Sequence, residues 1–241
     1  MNILQQIEAR TKERIETQKQ VIPPQKLMKT ALSSGSTDNF PFEKALRSKD
    51  IGFICEVKKA SPSKGVIAED FPYLDIAKDY EAAGAAAISV LTEPYYFHGA
   101  DRFLREIAET VSIPLLRKDF TVDPYMIYEA KVLGASAVLL IAAILDQGTL
   151  GEYIELAHSL GLSALVEVHD EHELEDALRS GARVVGVNNR DLRTFEVDTG
   201  NSIRLRNLAP DNIIFVSESG IGSPEDIEKL RGHGVNAVLV G

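Results

Sequence analysis

The chain has 241 residues, of which 44% are hydrophobic, and 26 Lys and Arg against 36 Asp and Glu give it a net charge of −10. This length suits one domain with one large core, and the negative charge argues against binding to a nucleic-acid backbone. The single cysteine, Cys55, cannot form an intrachain disulfide, and the longest uncharged run (132–145) is shorter than a membrane helix. We therefore expect a cytoplasmic protein that does not enter membranes.

The N-terminal residues 1–47 differ in pattern from the rest of the chain. The first 20 residues are rich in helix formers with sparse apolar positions, which predicts a helix lying on another surface. The pair Pro23–Pro24 ends this helix, and turn residues at 33–39 precede another short helical piece. We expect a helical extension, 1–47, that packs on the barrel described next; a solvated helix and a cover over a site both fit its pattern.

From residue 48 onward, eight short apolar runs start 21 to 34 residues apart. They are FICEVK (53–58), AISVLT (87–92), PLLRKD (114–119), AVLLIAA (137–143), SALVEVH (163–169), VVGVNN (184–189), IIFVSES (213–219) and AVLVG (237–241). Stretches of helical periodicity lie between them and end in glycine, as at Gly84 and Gly161. Alternating strands and helices of this number predict an α/β fold, a (β/α)8 TIM barrel over 48–241. A doubly wound open sheet is disfavoured because no G-x-G-x-x-G follows the first run.

The sequence ends at Gly241, at the end of the eighth run, where a complete barrel would continue into a helix. We therefore expect a barrel whose eighth helix is absent from this chain, and lower stability than that of a longer version. A monomer is expected, with self-association through the uncovered barrel face as the alternative.

Charged side chains stand inside or at the ends of these apolar strands. Glu56 and Lys58 share strand parity, opposite to that of Cys55, so both are expected to point into the barrel mouth. The other polar residues that end strands are Lys118, Glu167, Asn188, Arg190, Glu218 and Ser219. Catalytic groups of TIM barrels lie at the carboxyl ends of the strands, so this set predicts an active site there. A structural ion-pair network, such as Glu56 with Lys58, is the alternative interpretation.

Three loops add to the expected site. The segment SESGIGSPED (217–226) combines a Gly-rich turn with Ser223 as an N-cap and Pro224 as the first helical residue, which predicts free N–H groups for an anion; an ordinary turn is the alternative. The loop ASPSKG (60–65) is long enough to close over a ligand. The aromatic residues of EPYYFHG (93–99) are expected either to stack on a ring or to pack against the N-terminal helix.

A metal site is not predicted. His169 and His172 lack a third ligand, and Asp170 with Glu173 resembles a helix cap instead. No Cys/His or Ser/His/Asp nucleophile set stands out.

Six motifs, in order along almost the whole chain, resemble those of indole-3-glycerol phosphate synthases. They are ExKxASPSxG (56–65), LTEPxYFxG (91–99), RKDFxxDPYxxxEA (117–130), LVEVH (165–169), GVNNRDLxTFxVD (186–198) and SESGI (217–221). The resemblance implies a barrel enzyme that closes the indole ring of 1-(2-carboxyphenylamino)-1-deoxyribulose 5-phosphate with loss of CO2 and water. This carbon–carbon lyase of tryptophan biosynthesis would take a small phosphorylated substrate and use neither metal nor organic cofactor.

The resemblance also implies roles for individual residues. Lys118 matches the general acid, Lys58 the residue that handles anionic groups, and Glu167 the acid and base of the dehydration. The positions that orient the substrate or the lysines are Glu56, Asn188, Glu218 and Ser219. Phe97 and Phe120 match apolar residues that line the anthranilate pocket. The other expected substrate-binding residues are Arg190, Ser61, Gly220 and Gly241.

Two other functions remain open at this point. A phosphoribosylanthranilate isomerase-like enzyme would place a cysteine and an aspartate at the mouth, whereas Cys55 is expected to face the helices. A truncated barrel that binds phosphorylated ligands without turning them over is the second, although intact Lys58, Lys118 and Glu167 argue against it.

Overall fold

Eight parallel strands close into a barrel in the computed structural model, which describes residues 2–35, 39–48, 50–190 and 196–241. The barrel strands are β1 (Gly52–Val57), β4 (Ala87–Leu91), β5 (Leu115–Lys118), β6 (Ala137–Ile141), β7 (Ser163–Val168), β8 (Val184–Asn188), β9 (Ile214–Glu218) and β10 (Ala237–Val240). Each pairs with its neighbours in the order of the chain, and β1 closes the ring by pairing with β10. The predicted TIM barrel and all eight of its predicted strands are confirmed.

Helices connect successive barrel strands and precede the first of them. They are α1 (Ile3–Val21), α2 (Pro24–Ser33), α3 (Pro41–Leu46), α4 (Tyr73–Ala82), α5 (Asp101–Ala108), α6 (Pro124–Val132), α7 (Gln147–Ser159), α8 (Glu171–Arg179), α9 (Gly200–Arg206) and α10 (Pro224–Gly232). The predicted glycine stops are present, for example at Gly134, whose φ of 89° lies in the left-handed region that glycine adopts without strain.

Strand parity divides the apolar residues into two layers. Ile54 and Leu116 belong to the cluster inside the barrel, where Phe42 and Leu46 of α3 also pack. Val57 belongs to the larger layer between strands and helices. Ile54 and Glu56 therefore share the interior face, as the alternation predicts, and Cys55 lies half-buried on the opposite face.

The N-terminal helices pack on the barrel through α6. Ile15 of α1 and Leu27 of α2 form a small buried cluster with Tyr125 and Met126 of α6. Helix α2 was not predicted, because Pro23–Pro24 was interpreted only as a stop. Pro24 is instead the first residue of the new helix, where a missing N–H and a fixed φ carry no penalty.

The loop after β1 contains a second unpredicted element. Its strands β2 (Ala60–Ser61) and β3 (Gly65–Val66) pair antiparallel and fold the loop into a small hairpin. None of the helices in the described ranges is long and apolar enough to cross a membrane.

Candidate active site

A cavity of ≈ 530 Å³ opens at the carboxyl ends of the barrel strands. The thirteen residues predicted for the site all line it. They are Glu56, Lys58, Ser61, Phe97, Lys118, Phe120, Glu167, Asn188, Arg190, Glu218, Ser219, Gly220 and Gly241. Residues separated by up to 185 positions converge because every parallel strand ends at the same edge of the barrel.

Lys118 lies among carboxylates at the centre of this cavity. Its Nζ is 3.5 Å from Glu167 Oε2 and 3.8 Å from Glu218 Oε2. Burial favours the neutral amine, but the charges of Glu167, Glu218 and Glu56 outweigh it and raise the pKa of Lys118. Lys118 is therefore an ammonium ion at neutral pH, a proton donor directed into the cavity.

Glu167 and Glu218 flank the same lysine, but their pKa values are shifted in opposite directions. Glu167 is buried, which favours its neutral form, but Lys118 and His169 outweigh burial and hold the pKa of its carboxyl below the usual value. Burial and the neighbouring charges of Glu167 and Glu56 raise the pKa of Glu218 to about 8. The two neighbouring carboxyl groups therefore have pKa values shifted in opposite directions, an arrangement that separates proton acceptor from proton donor.

The position of Glu218 depends on a glycine in the next strand. A Cβ at Gly186 of β8 would overlap Glu218 Oε1. That oxygen is buried and has no hydrogen-bond partner among the described residues. This Glu218 oxygen lies against the β8 backbone at Gly186, so a side chain at position 186 would displace the carboxyl group.

Glu56 and Lys58 form the ion pair that was the alternative interpretation of this strand. Ser89 Oγ donates to the other Glu56 oxygen at 3.3 Å. Lys58 nevertheless remains in the cavity, about one-fifth exposed, so the pair also places a cation where an anionic group would bind.

The residues after β8 continue the polar wall. Asn188 Nδ2 donates to Glu167 Oε1 at 3.4 Å, and its Oδ1 accepts from the N–H of Arg190 at 3.1 Å. The amide thus joins Glu167 to the segment that carries Arg190. Residues 191–195 of the GVNNRDLxTFxVD motif lie outside the described residues.

The turn after β9 presents backbone donors, although not all of those that were predicted. Ser219 and Gly220 adopt positive φ of 67° and 76°, and Asn189 Nδ2 holds this turn by donating to Ser219 O at 3.1 Å. The N–H of Gly220 has no partner among the residues that the structure describes. A non-glycine residue in this conformation is strained, a feature that occurs at binding sites.

The N–H groups just before the helix that follows this turn are not free. Ser223 is the N-cap, as predicted, but Asp226 Oδ2 accepts from both Gly222 N and Ser223 N at 3.1 Å. The expectation that these N–H groups hold an anion is therefore wrong, because an acidic side chain of the same capping box already occupies them. Candidate donors are left at Ser219 and Gly220.

Apolar residues form the other end of the cavity. The Phe97 and Phe120 rings lie 6.1 Å apart, and Ile3, Leu4 and Ile7 of α1 complete the lining. The two interpretations of the aromatic loop therefore hold for different residues: Phe97 faces the cavity, while Tyr95 packs against α1, with the Arg10 guanidinium 5.6 Å from its ring centroid.

Two residues that sequence reasoning missed connect α1 to the site. Arg14 Nη2 donates to both oxygens of the fully buried Asp119 at 2.9 Å, and Thr92 Oγ1 donates to Asp119 Oδ2 at 2.7 Å. Burial raises the pKa of Asp119, but Arg14 and Arg117 outweigh it and hold this pKa low. Asp119 follows Lys118 directly, so this ion pair ties α1 to the strand end that carries the lysine.

The histidines have separate environments. Asp170 caps α8 by accepting from Glu173 N at 2.9 Å, as predicted, and His172 is 83% exposed at its side chain. His169 instead turns toward Glu167 at the cavity. Within the described ranges, no group of three or more His, Cys, Asp and Glu side chains has an arrangement that could hold a metal.

Comparison with known proteins finds a single family of enzymes. A family model described as indole-3-glycerol phosphate synthase matches residues 4–241. A relative of that name from Ruminiclostridium cellulolyticum is 58% identical over 99% of this chain and 92% of its own length. Relatives of the same name from Endomicrobium trichonymphae and Thermoanaerobacter pseudethanolicus are 54% and 47% identical, each over 99% of this chain and 93% and 90% of their own lengths.

Proposed function

Because the chain belongs to the indole-3-glycerol phosphate synthase family, we propose that its barrel mouth closes the indole ring of 1-(2-carboxyphenylamino)-1-deoxyribulose 5-phosphate. The products are indole-3-glycerol phosphate, CO2 and water, in a step of tryptophan biosynthesis. One observation carries the assignment of the chemistry: the Lys118 ammonium lies in one cavity between two buried carboxyl groups, 3.5 Å from Glu167 and 3.8 Å from Glu218.

Lys118 supplies the proton of ring closure. The aryl carbon that bears the carboxylate attacks the ketone carbon of the substrate, and negative charge develops on the ketone oxygen. The Lys118 ammonium donates its proton to this oxygen, so the new carbon–carbon bond leaves a hydroxyl group. Loss of CO2 then returns its bonding electrons to the ring and restores aromaticity.

Glu167 acts in the dehydration. The new hydroxyl group leaves as water, and the adjacent CH2 carbon loses a proton to form the second double bond of the indole. Glu167 is buried within reach of Lys118, and Asn188 holds its carboxylate by a hydrogen bond of 3.4 Å. It therefore has the position for both proton transfers of this step.

The two ends of the cavity match the two ends of the substrate. Phe97 and Phe120 form an apolar wall for the anthranilate ring, and the Lys58 cation lies where the carboxylate would be held. The turn at Ser219 and Gly220, together with Arg190, Ser61 and Gly241, would receive the phosphate. Glu56 keeps Lys58 in place through their ion pair.

We also propose that the extension 1–47 serves as a cover for the site. Ile3, Leu4 and Ile7 line the cavity, and the buried Arg14–Asp119 pair holds their helix there. The extension would exclude water from the ring closure, which strengthens the charge interactions inside the cavity.

Turnover of the carboxyphenylamino substrate tests the function. Appearance of indole fluorescence, with one CO2 released per product, is the expected result. The control is the same protein with Lys118→Met, which keeps the cavity filled without a proton donor. Tight substrate binding without product at high enzyme concentration would contradict the proposal and indicate a barrel that only binds phosphorylated ligands.

A further inference from the structure

His169 lies between two carboxylates directly after β7. Its Nδ1 is 3.2 Å from Glu173 Oε2, and its Nε2 is 3.8 Å from Glu167 Oε1. The backbone N–H of His169 also donates to Glu173 Oε2 at 2.7 Å, and Asn201 Nδ2 donates to its carbonyl oxygen at 2.9 Å. The ring is therefore held on the Glu173 side and faces Glu167 with its other nitrogen.

This geometry favours the doubly protonated ring. When Nδ1–H donates to Glu173, a neutral ring would turn the lone pair of Nε2 toward the Glu167 carboxylate, whereas an imidazolium turns an N–H toward it. Nε2 is buried and has no hydrogen-bond partner among the described residues. Glu167 Oε1, 3.8 Å away, is the carboxylate oxygen that an N–H on Nε2 would face.

We propose that His169, held by Glu173, is a positioning residue that keeps the Glu167 carboxylate ionised and oriented toward Lys118. This deepens the role proposed for Glu167 in the dehydration and rests on that function. Lys118 and Asn188 then donate to Oε2 and Oε1 of Glu167, and the His169 imidazolium places its positive charge 3.8 Å from Oε1.

The charged groups around the ring determine how the arrangement responds to pH. Burial favours the neutral ring, but the hydrogen bond to Glu173 and the charge of Glu167 outweigh it, with Glu218 adding to them, and raise the pKa of His169 above its usual 6.5. Lys118 lies on the other side of Glu167 and stays charged over this range. As pH rises through the His169 pKa, Glu167 therefore loses one of its two cationic neighbours.

The variant His169→Gln tests this role because the glutamine amide can replace the donor but not the charge. We expect kcat to fall by about tenfold at neutral pH with KM changed less than about twofold. Deprotonation of His169 should contribute to the fall of the wild-type kcat as pH rises, and the variant should lack this contribution, whereas Glu218, with its pKa raised to about 8, still titrates. His172→Gln is the matched control, since this exposed histidine in the first turn of α8 should leave the profile unchanged.

An NMR titration of the histidine rings gives a second test that needs no substrate. The His169 pKa should fall by about one unit or more in Glu167→Gln and in Glu173→Gln. The coupling between His169 and Glu167 is reciprocal. The shift of the His169 pKa in Glu167→Gln therefore equals the effect of the His169 charge on the Glu167 pKa. An unchanged His169 titration in Glu167→Gln, or a His169→Gln profile that matches the wild-type profile, overturns the proposal.

The two tests separate the inference from the function beneath it. A wild-type chain that lacks synthase activity, yet shows the His169 coupling by NMR, overturns the proposed function and supports the Glu173–His169–Glu167 arrangement. An active chain that lacks the His169 coupling supports the proposed function and overturns the Glu173–His169–Glu167 arrangement.

Discussion

Replacing Lys118 with methionine removes the central cation of the site and leaves most of its volume filled. The Lys118 side chain is 16% exposed, and its Nζ is the group that contacts both Glu167 and Glu218. Methionine is unbranched and of similar length, so the barrel strands need not move. The change therefore tests the ammonium group rather than the packing around it.

Two effects determine the size of the expected loss. A general acid contributes about 10²- to 10⁴-fold to a rate, or about 3 to 5 kcal/mol. The lysine also stabilises ionised Glu167: a pair of charges about 3.5 Å apart corresponds to about 5 kcal/mol at an effective dielectric constant of about 20. Without Lys118, Glu167 and Glu218 compete for protons as neighbouring buried carboxyls, and the Glu167 pKa rises. Because donor and acceptor are impaired together, we expect kcat to fall by at least about 10³-fold.

Steady-state indole fluorescence measures kcat, and a calorimetric titration with substrate measures binding. Substrate affinity should stay within about threefold, because the apolar wall and the phosphate turn are unchanged. Lys118→Arg is the control for charge: it keeps a cation but not a group that can donate a proton at neutral pH. Urea unfolding of each variant verifies that the fold is retained.

A folded Lys118→Met variant with kcat within tenfold of the wild type would refute the role of general acid. Loss of substrate binding in parallel with kcat would show that the lysine acts in binding instead. An active Lys118→Arg variant would show that positive charge, rather than proton donation, is what the reaction requires.

Three further changes test other parts of the site. Glu167→Gln should lower kcat by about 10²-fold with substrate binding retained and should alter the pH profile, because an amide cannot exchange a proton. Gly220→Ala should raise KM by about tenfold and weaken competition by inorganic phosphate, because its φ of 76° strains a Cβ and that Cβ would overlap Val197. Arg14→Met should lower the free energy of unfolding by about 2 to 4 kcal/mol at pH 7, measured in urea, because buried Asp119 loses two hydrogen bonds. The pKa of Asp119 is held low, so its stabilisation is present above about pH 4 and is lost as pH falls; the difference between Arg14→Met and the wild type should shrink there.

Contrary outcomes are specific to each change. An unaltered pH profile in Glu167→Gln would exclude proton transfer by this carboxyl. Wild-type phosphate competition in Gly220→Ala would place the anion elsewhere. A stability difference for Arg14→Met that is constant from pH 7 to pH 3 would show that packing, rather than the Asp119 charge, holds α1 in place.

Local sequence patterns predicted the barrel because each strand and the helix after it have a recognisable pattern of their own. An apolar run followed by helical periodicity and a glycine stop defines one unit, and Gly84 and Gly161 end their helices as expected. Helix α2 and the hairpin of β2 and β3 were missed for a local reason. A proline pair both ends one helix and begins another, and two-residue strands are too short for any alternation.

The sequence by itself determined the strands, their parity and the set of residues at the rim, because a parallel barrel brings every strand end to one edge. Only the tertiary structure decided how the pKa values of the rim groups are shifted. Glu167 and Glu218 each end an apolar strand, yet the pKa of the first is lowered and that of the second is raised, because burial and neighbours from other strands set these values. The same limit hid the Arg14–Asp119 pair, whose members are 105 residues apart, and the capping of Gly222 by Asp226. Such contacts form between side chains that no local pattern relates, so their partners become defined only when the barrel closes.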